Sequence, residues 1–173
     1  MLVLGLDPGL ALTGFALVDG RAGSLRLVRA GVVVTAAGDE EARRLCQVVE
    51  AVRQVVRTPA IDAVAVERLY FSRNVRTAIQ VAQARGVILF AVAEAGLPIA
   101  EYTPSEVKRS VSGNGSAPKR QVARMVISLL GGAPVAGPDD VTDACAVAIC
   151  HHHAQGMRQA VRRARAGPPG VPA

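Results

Sequence analysis

Asp7 ends the apolar run Leu2-Val-Leu-Gly-Leu6, and Pro8-Gly9 turns the chain straight after it. A carboxylate at the edge of an apolar core costs about several kcal/mol unless a positive partner meets it, and no Lys or Arg precedes Arg21. A metal ion answers that need, and so does a strand-ending acid that accepts hydrogen bonds from its own turn. Glu67 closes the run Ile61 to Val66 in the same manner. Asp140 and Asp143, three apart at an expected helix start, project from one face with about 5–6 Å between their Cβ atoms. The helix dipole favours them by about 0.3–1 kcal/mol. Two such charges at ~4 Å repel by about 4 kcal/mol at an effective dielectric of 20, so a convergent cluster of these acids requires cations. Oxygen donors alone select hard ions, Mg²⁺ or Mn²⁺, and a pair of them about 3.5–4 Å apart suits in-line attack on a phosphodiester. Taken singly, the helix acids are explained as an N-cap, Asp139 or Asp140, with Asp143 solvated; taken jointly with the strand-end acids and the basic blocks below, the metal site is the better reading.

The elements that must position these acids follow from pattern. Residues 2 to 7 and 12 to 18 form a strand and its antiparallel return, and Ser24 to Thr35 alternates into a third strand. Ala42, Leu45, Val49, Val52 and Val56 recur at helical spacing until Pro59. A β-branched run delivers Glu67, and a long helix from Asn74 to Ala95 carries Gly86 at its middle, where close packing is expected. Ile99 to Tyr102 is a short edge strand, Thr103-Pro-Ser-Glu106 a capping-box helix start, and Pro118 to Leu130 a further helix. The last helix runs from Asp139 to about His153. This order predicts an α/β domain with a mixed five-stranded sheet flanked by helices, three antiparallel strands then two of parallel type, and the ribonuclease H-like fold fits it. The domain is expected over 1–155, with 156–173 a basic, Gly/Pro-rich, disordered tail.

At 173 residues the chain suits one core. No apolar run reaches the ~18 residues of a membrane span and no basic leader precedes one, so a soluble, cytoplasmic protein without a membrane partner is expected. Cys46, Cys145 and Cys150 are odd in number and lack C-x-x-C spacing, which argues against a disulfide framework or a zinc ribbon. Cys150 with His151, His152 and His153 is better explained as a helix end than as a metal site, because consecutive helical side chains point about 100° apart. The net charge of +6 is unevenly spread. No acid lies between Glu67 and Glu94, a span with Arg68, Arg73, Arg76 and Arg85, nor between Glu106 and Asp139, a span with Lys108, Arg109, Lys119, Arg120 and Arg124. Two such blocks suggest a polyanion, nucleic acid being the commonest; solvated helix faces are the plainer alternative.

Leu4-Gly-Leu-Asp7-Pro-Gly9 with Thr13-Gly14, Glu67-Arg-Leu-Tyr70-Phe-Ser-Arg-Asn74, Gln83-Ala-Arg85-Gly86, Val107-Lys108 through Gly113-Asn-Gly-Ser-Ala117 and Lys119, and Asp140-Val-Thr-Asp143-Ala together resemble the RuvC family of bacterial Holliday junction resolvases. The resemblance runs in order from about residue 1 to 155. It implies a homodimeric endonuclease that binds four-way DNA junctions and nicks two opposed strands of like polarity, leaving 5′-phosphate and 3′-OH ends. It also implies two Mg²⁺ per site, with Mn²⁺ able to substitute, and the branch-migration complex RuvA/RuvB as partner. Asp7, Glu67, Asp140 and Asp143 match the metal-binding acids, Lys119 is the candidate to assist at the scissile phosphate, and Lys108 matches a basic position near the DNA backbone. Tyr70 matches an aromatic that stacks on an unpaired base, though a half-buried ring is as good a reading of it. Arg73, Arg76 and Arg120 complete the DNA-binding candidates. Three positions depart from the pattern: Asp139 adjoins Asp140, although the spacing to Asp143-Ala favours Asp140; Phe71 follows Tyr70 and competes for the stacking role; and Pro118 stiffens the approach to Lys119. A related nuclease acting on RNA or an RNA-DNA hybrid, an actin-like nucleotide-binding domain, and a non-catalytic junction-binding module are the alternatives.

Overall fold

A computed structural model describes residues 1–21, 23–68 and 75–166, with the side chains of 75–77, 163 and 166 outside the description. Strand β1 (Leu2–Asp7) lies at the centre of a five-stranded sheet of order β3-β2-β1-β4-β5. β2 (Leu12–Arg21) returns antiparallel beside it, with Asp7 opposite Gly14, and β3 (Ser24–Val34) pairs antiparallel with β2. α1 (Glu41–Val56) crosses the sheet so that β4 (Ile61–Glu67) joins β1 in parallel. α2 (Val75–Glu94) then leads to β5 (Ile99–Tyr102), parallel to β4 with Glu67 opposite Tyr102. The chain ends in α3 (Pro104–Ser112), α4 (Lys119–Leu129) and α5 (Asp139–Ala166).

Because β1 is apolar up to Asp7, it can be buried on both faces, as a central strand covered by helices on each side requires. Leu4 and Leu6 face one layer, with Leu17, Val64, Val66, and the α1 and α2 residues Val48, Val52, Ile88 and Val92. Val3, Ala16, Val18 and Ala65 face the other, against α3, α4 and α5. The two-residue alternation therefore puts Gly5 and Asp7 on the α5 side. α3 begins with the expected capping box: Glu106 N–H donates to Thr103 Oγ1 at 3.3 Å, and Thr103 N–H to Glu106 Oε2 at 2.7 Å.

Two expectations are corrected at the C-terminal end. α5 does not stop near His153, and 156–166 are not a disordered tail; the helix continues to Ala166, while 167–173 lie outside the described residues. A single Gly156 costs a helix only about 1 kcal/mol, and the Met, Arg, Gln and Ala residues beyond it are strong helix formers, with cations placed toward the negative helix end. The three histidines thus lie within the helix, each engaged on a different side. Buried His151 shares a hydrogen bond between its Nδ1 and the Tyr102 hydroxyl at 2.9 Å, His152 Nε2 reaches the Val18 carbonyl at 3.0 Å, and His153 Nδ1 meets Ser110 at 3.1 Å. Burial pushes the Cys150 thiol up to about 11, which disfavours the thiolate a metal would need. Burial, then the charges of His152 and Arg158, draw the His151 pKa down, so its neutral ring fits the apolar layer. Replacing Tyr102 by Phe should lower unfolding free energy by about 1–3 kcal/mol, the cost of a buried polar group losing its partner, read from a shifted urea midpoint at constant slope.

Candidate active site

Asp7 and Glu67 end neighbouring parallel strands, so both carboxylates leave the sheet at one edge. The turn after Asp7 is fixed by Thr13, whose hydroxyl donates to the Gly9 carbonyl at 2.6 Å. Helix α5 brings Asp140 and Asp143 to the same edge because the sheet beneath it has no side chain at two positions. A Cβ on Gly14 would run into the Asp140 carbonyl and lie 3.2 Å from the Asp140 Cβ, and a Cβ on Gly5 would strike the Ala144 carbonyl and come within 3.0 Å of the Ala148 Cβ. Since Gly14 is the register partner of Asp7, this close approach sets the first turn of α5 directly beside Asp7.

The electrostatics follow from that crowding. The Asp7 pKa is pushed up to about 7 by burial first, then by the charges of Glu67, Asp143 and Asp140, with Lys119 opposing. Glu67 is likewise pushed up to about 7 by burial and then by Asp143, with Lys108 and Lys119 opposing. Of the two adjacent acids, Asp140 acts on the Asp7 carboxyl and has its backbone against Gly14, whereas the Asp139 side chain is 79% exposed. Lys119 Nζ lies 2.9 Å from Asp143 Oδ2 and 3.3 Å from Asp139 Oδ2. Burial draws the Lys119 pKa down, but hydrogen bonds and charges from Asp143 and Asp139 outweigh it and raise the pKa, so this lysine is cationic. Beside it opens a cleft of about 240 Å³ lined by Glu67, Lys108, Lys119 and Asp143 over apolar Val107 and Val122.

As the side chains stand, no three His, Cys, Asp or Glu groups among the described residues converge on one metal position. Lys119 instead provides positive charge. The donor set fits a hard divalent cation all the same: it is oxygen only, and two of its carboxylates are held so that ionisation needs added positive charge.

Of the other expected residues, Lys108 lines the cleft and Arg120 is exposed beside Lys119. Tyr70, Phe71 and Arg73 lie outside the described residues, and so does the side chain of Arg76. Arg85 leaves the basic block: its guanidinium is largely buried and hydrogen-bonded to Glu101 on β5. Sequence reasoning missed that pairing and the two acids that hold Lys119. Nothing in the sequence singled out Glu101, which lies beyond Glu94, as the partner of Arg85.

The family model for "Crossover junction endodeoxyribonuclease RuvC" matches residues 3–151. A protein of that name from Moorella thermoacetica is 50% identical over 151 residues, covering 87% of this chain and 90% of its own, and one from Clostridioides difficile is 43% identical over 162 residues, covering 94% and 96%. The chain belongs to the RuvC family. Thermus thermophilus RuvC, solved in complex with Holliday junction substrate, superposes with a TM-score of 0.86 at 34% identity, covering 91% of this chain and 96% of that one. The yeast mitochondrial Holliday junction resolvase Ydc2, at a TM-score of 0.67 and 11% identity, shares the fold. As a member of the RuvC family, the protein is a nuclease of a metal-dependent hydrolase family, and its five-stranded mixed sheet is the ribonuclease H-like one expected.

Two outcomes follow from the raised carboxyl pKa values. Asp7 and Glu67 bind protons more tightly folded, near 7, than unfolded, near 4, so their contribution to stability is full below about pH 4 and is lost as pH rises through 7. Divalent cations should therefore raise the melting temperature strongly at pH 8 and little at pH 5, as differential scanning fluorimetry with and without Mg²⁺ would record. Asp140→Asn should remove most of that Mg²⁺-dependent rise, whereas Asp139→Asn should leave it within experimental error.

Proposed function

We propose that this RuvC family member resolves four-way DNA junctions in the cytoplasm as a homodimer, nicking two strands of like polarity with the help of two Mg²⁺ ions per site. The observation that carries the reading is the meeting of Asp7, Glu67, Asp140 and Asp143 at one sheet edge, in a chain similar over most of its length to crossover junction endodeoxyribonucleases. Among the described residues, no helix is long and apolar enough to cross a membrane.

Asp7, on the central strand, would hold the ions together with Glu67 of the neighbouring strand and Asp140 and Asp143 of α5, all of whose charges act on its carboxyl. Bound there, Mg²⁺ or Mn²⁺ would supply an activated water and charge for the leaving 3′ oxygen. The carboxylates orient the reacting groups. Lys119, cationic at the mouth of the cleft, can leave Asp143 and Asp139 for the scissile phosphate, so that its charge transfers from protein to substrate. Lys108 and Arg120, with Arg73 and Arg76, grip the DNA backbone, while Tyr70 or Phe71 stacks on a base at the opened junction centre, worth about 1–3 kcal/mol.

The dimer reading rests on α2. Ile79 and Phe90 are 54% and 58% exposed, and Ala82 and Gly86 lie exposed between them. A Cβ on Gly86 would meet nothing within 4 Å among the described residues, which leaves that stretch of the helix face open to a second copy. An isologous pair presents two equivalent sites to a junction of matching pseudo-symmetry. RuvA/RuvB as the branch-migration partner follows from family membership.

Asp7→Asn should abolish nicking of a synthetic four-way junction in Mg²⁺ while leaving junction binding in a gel-shift assay within about twofold, because one coordinating charge is lost and no backbone contact is. Undiminished nicking would overturn the assignment. Junction affinity of the unaltered protein should fall steeply between 50 and 200 mM salt, with a log-log slope of about −0.9 per phosphate contact. Cleavage of an RNA-DNA hybrid in preference to the junction would favour the related ribonuclease reading.

A further inference from the structure

Arg68 immediately follows Glu67, but the strand alternation turns it to the opposite face of the sheet, toward α2. Its backbone N–H donates to the Tyr102 carbonyl at 2.8 Å, which extends the β4–β5 pairing one residue past Glu67. Its guanidinium Nε is 3.6 Å from Glu101 Oε2. The other oxygen of the same carboxylate accepts a hydrogen bond from Arg85 Nη2 on α2. Arg85 and Glu101 are only 20% and 29% exposed at their side chains, against 56% for Arg68, so the inner half of this bridge is shielded from solvent. The buried Arg85 Nε has no hydrogen-bond partner among the described residues, which makes Glu101 the more important to that guanidinium. One carboxylate thus stands between two cations that would otherwise repel each other.

From this geometry we infer that Glu101 is a positioning residue for the nuclease site: by clamping Arg68 to Arg85 it ties the last peptide of β4 to α2 and sets the direction in which Glu67 presents its carboxylate. The inference rests on the proposed role of Glu67 as a metal ligand. Glu101 does not reach the cleft. It acts on the peptide that carries Glu67, and through Arg85 it joins that peptide to the helix whose exposed apolar face is proposed to meet the second copy. Partners that orient metal ligands from outside the coordination sphere commonly change metal affinity or activity by about 10–100-fold when removed, and a carboxylate ligand at the end of a two-stranded ladder is open to such control.

The test compares Glu101→Gln, Arg68→Gln, their double variant and Glu67→Gln, each in the full chain. Junction binding without metal, the Mg²⁺ concentration for half-maximal nicking, and the Mg²⁺-dependent rise in melting temperature would be measured for each. Glu101→Gln should raise the half-saturating Mg²⁺ by roughly tenfold and shrink the melting rise, with junction affinity unchanged and nicking largely recovered at high Mg²⁺. Arg68→Gln should move the same quantities in the same direction, and the double variant should be no worse than Glu101→Gln alone, since both break one bridge. If Glu101→Gln does not fold, Arg68→Gln decides, because it removes the exposed arm without leaving a buried cation. Unchanged Mg²⁺ dependence in the folded variants, with Glu67→Gln impaired, would overturn the inference alone. Unchanged Mg²⁺ dependence in Glu67→Gln would overturn the reading of Glu67 beneath it.

Discussion

The contact on which the molecule depends is the approach of α5 to the middle of the sheet across Gly5 and Gly14. Helices ordinarily pack with side chains between their backbones, and here two strand positions offer none, opposite Ala144, Ala148 and the Asp140 backbone. The helix therefore settles close over β1 and β2, and it does so at its N-terminal end, where Asp140 and Asp143 project. Larger side chains at the two glycines would lift α5 away, separating the helix acids from Asp7 and Glu67. The small residues elsewhere in this layer, Ala16, Ala65 and Ala146 among them, are buried in the same way. The scarcity of aromatic residues in the composition is consistent with an interior built on such close approach.

Four acids brought together by packing form an electrostatically frustrated site. Burial and mutual repulsion push Asp7 and Glu67 toward neutrality at physiological pH. Lys119 relieves part of the strain by bonding Asp143 and Asp139, but it stands at the rim rather than between the strand-end acids. The fold maintains this arrangement with unrelated stability elsewhere: apolar layers on both faces of β1, the capped start of α3, and the histidines that tie α5 to β2, β5 and α3. A site that repels itself is poised for cations, and for a phosphodiester whose negative charge those cations and the neighbouring lysines can neutralise.

Much of this was legible in the chain. Short apolar-rich runs ending in Asp7 and Glu67 specify strands that deliver acids, and the spacing of Asp140 and Asp143 at a helix start specifies a shared face. The antiparallel run of the first three strands followed from the order of elements, whereas the parallel pairing of β1 with β4, on which the meeting of Asp7 and Glu67 depends, was only a condition until the fold set it. The helix beyond Gly156 was not legible, because the charge and the Gly/Pro-rich end suggested disorder while local helix propensity prevailed. The three consecutive histidines gave no indication of their separate partners. Arg85 was indistinguishable from its exposed neighbours in the acid-free block, although Glu101 withdraws it from solvent.

The amino-acid sequence by itself determined which residue types could do chemistry, which elements carry them, and that the chain is similar to the RuvC resolvases. Only the tertiary structure decided that the Asp140 backbone lies against Gly14 while the Asp139 side chain is exposed, that Lys119 is held by two acids, and that Glu101 bridges the Glu67 strand to α2. The division has a physical cause. Periodicity and turn chemistry are local, and they fix an element and its faces within a few residues. Which atoms meet across elements depends on register, on helix rotation, and on how closely backbones approach where glycine leaves room; those quantities are set by the packing of segments more than a hundred residues apart, as with Gly14 and Asp140.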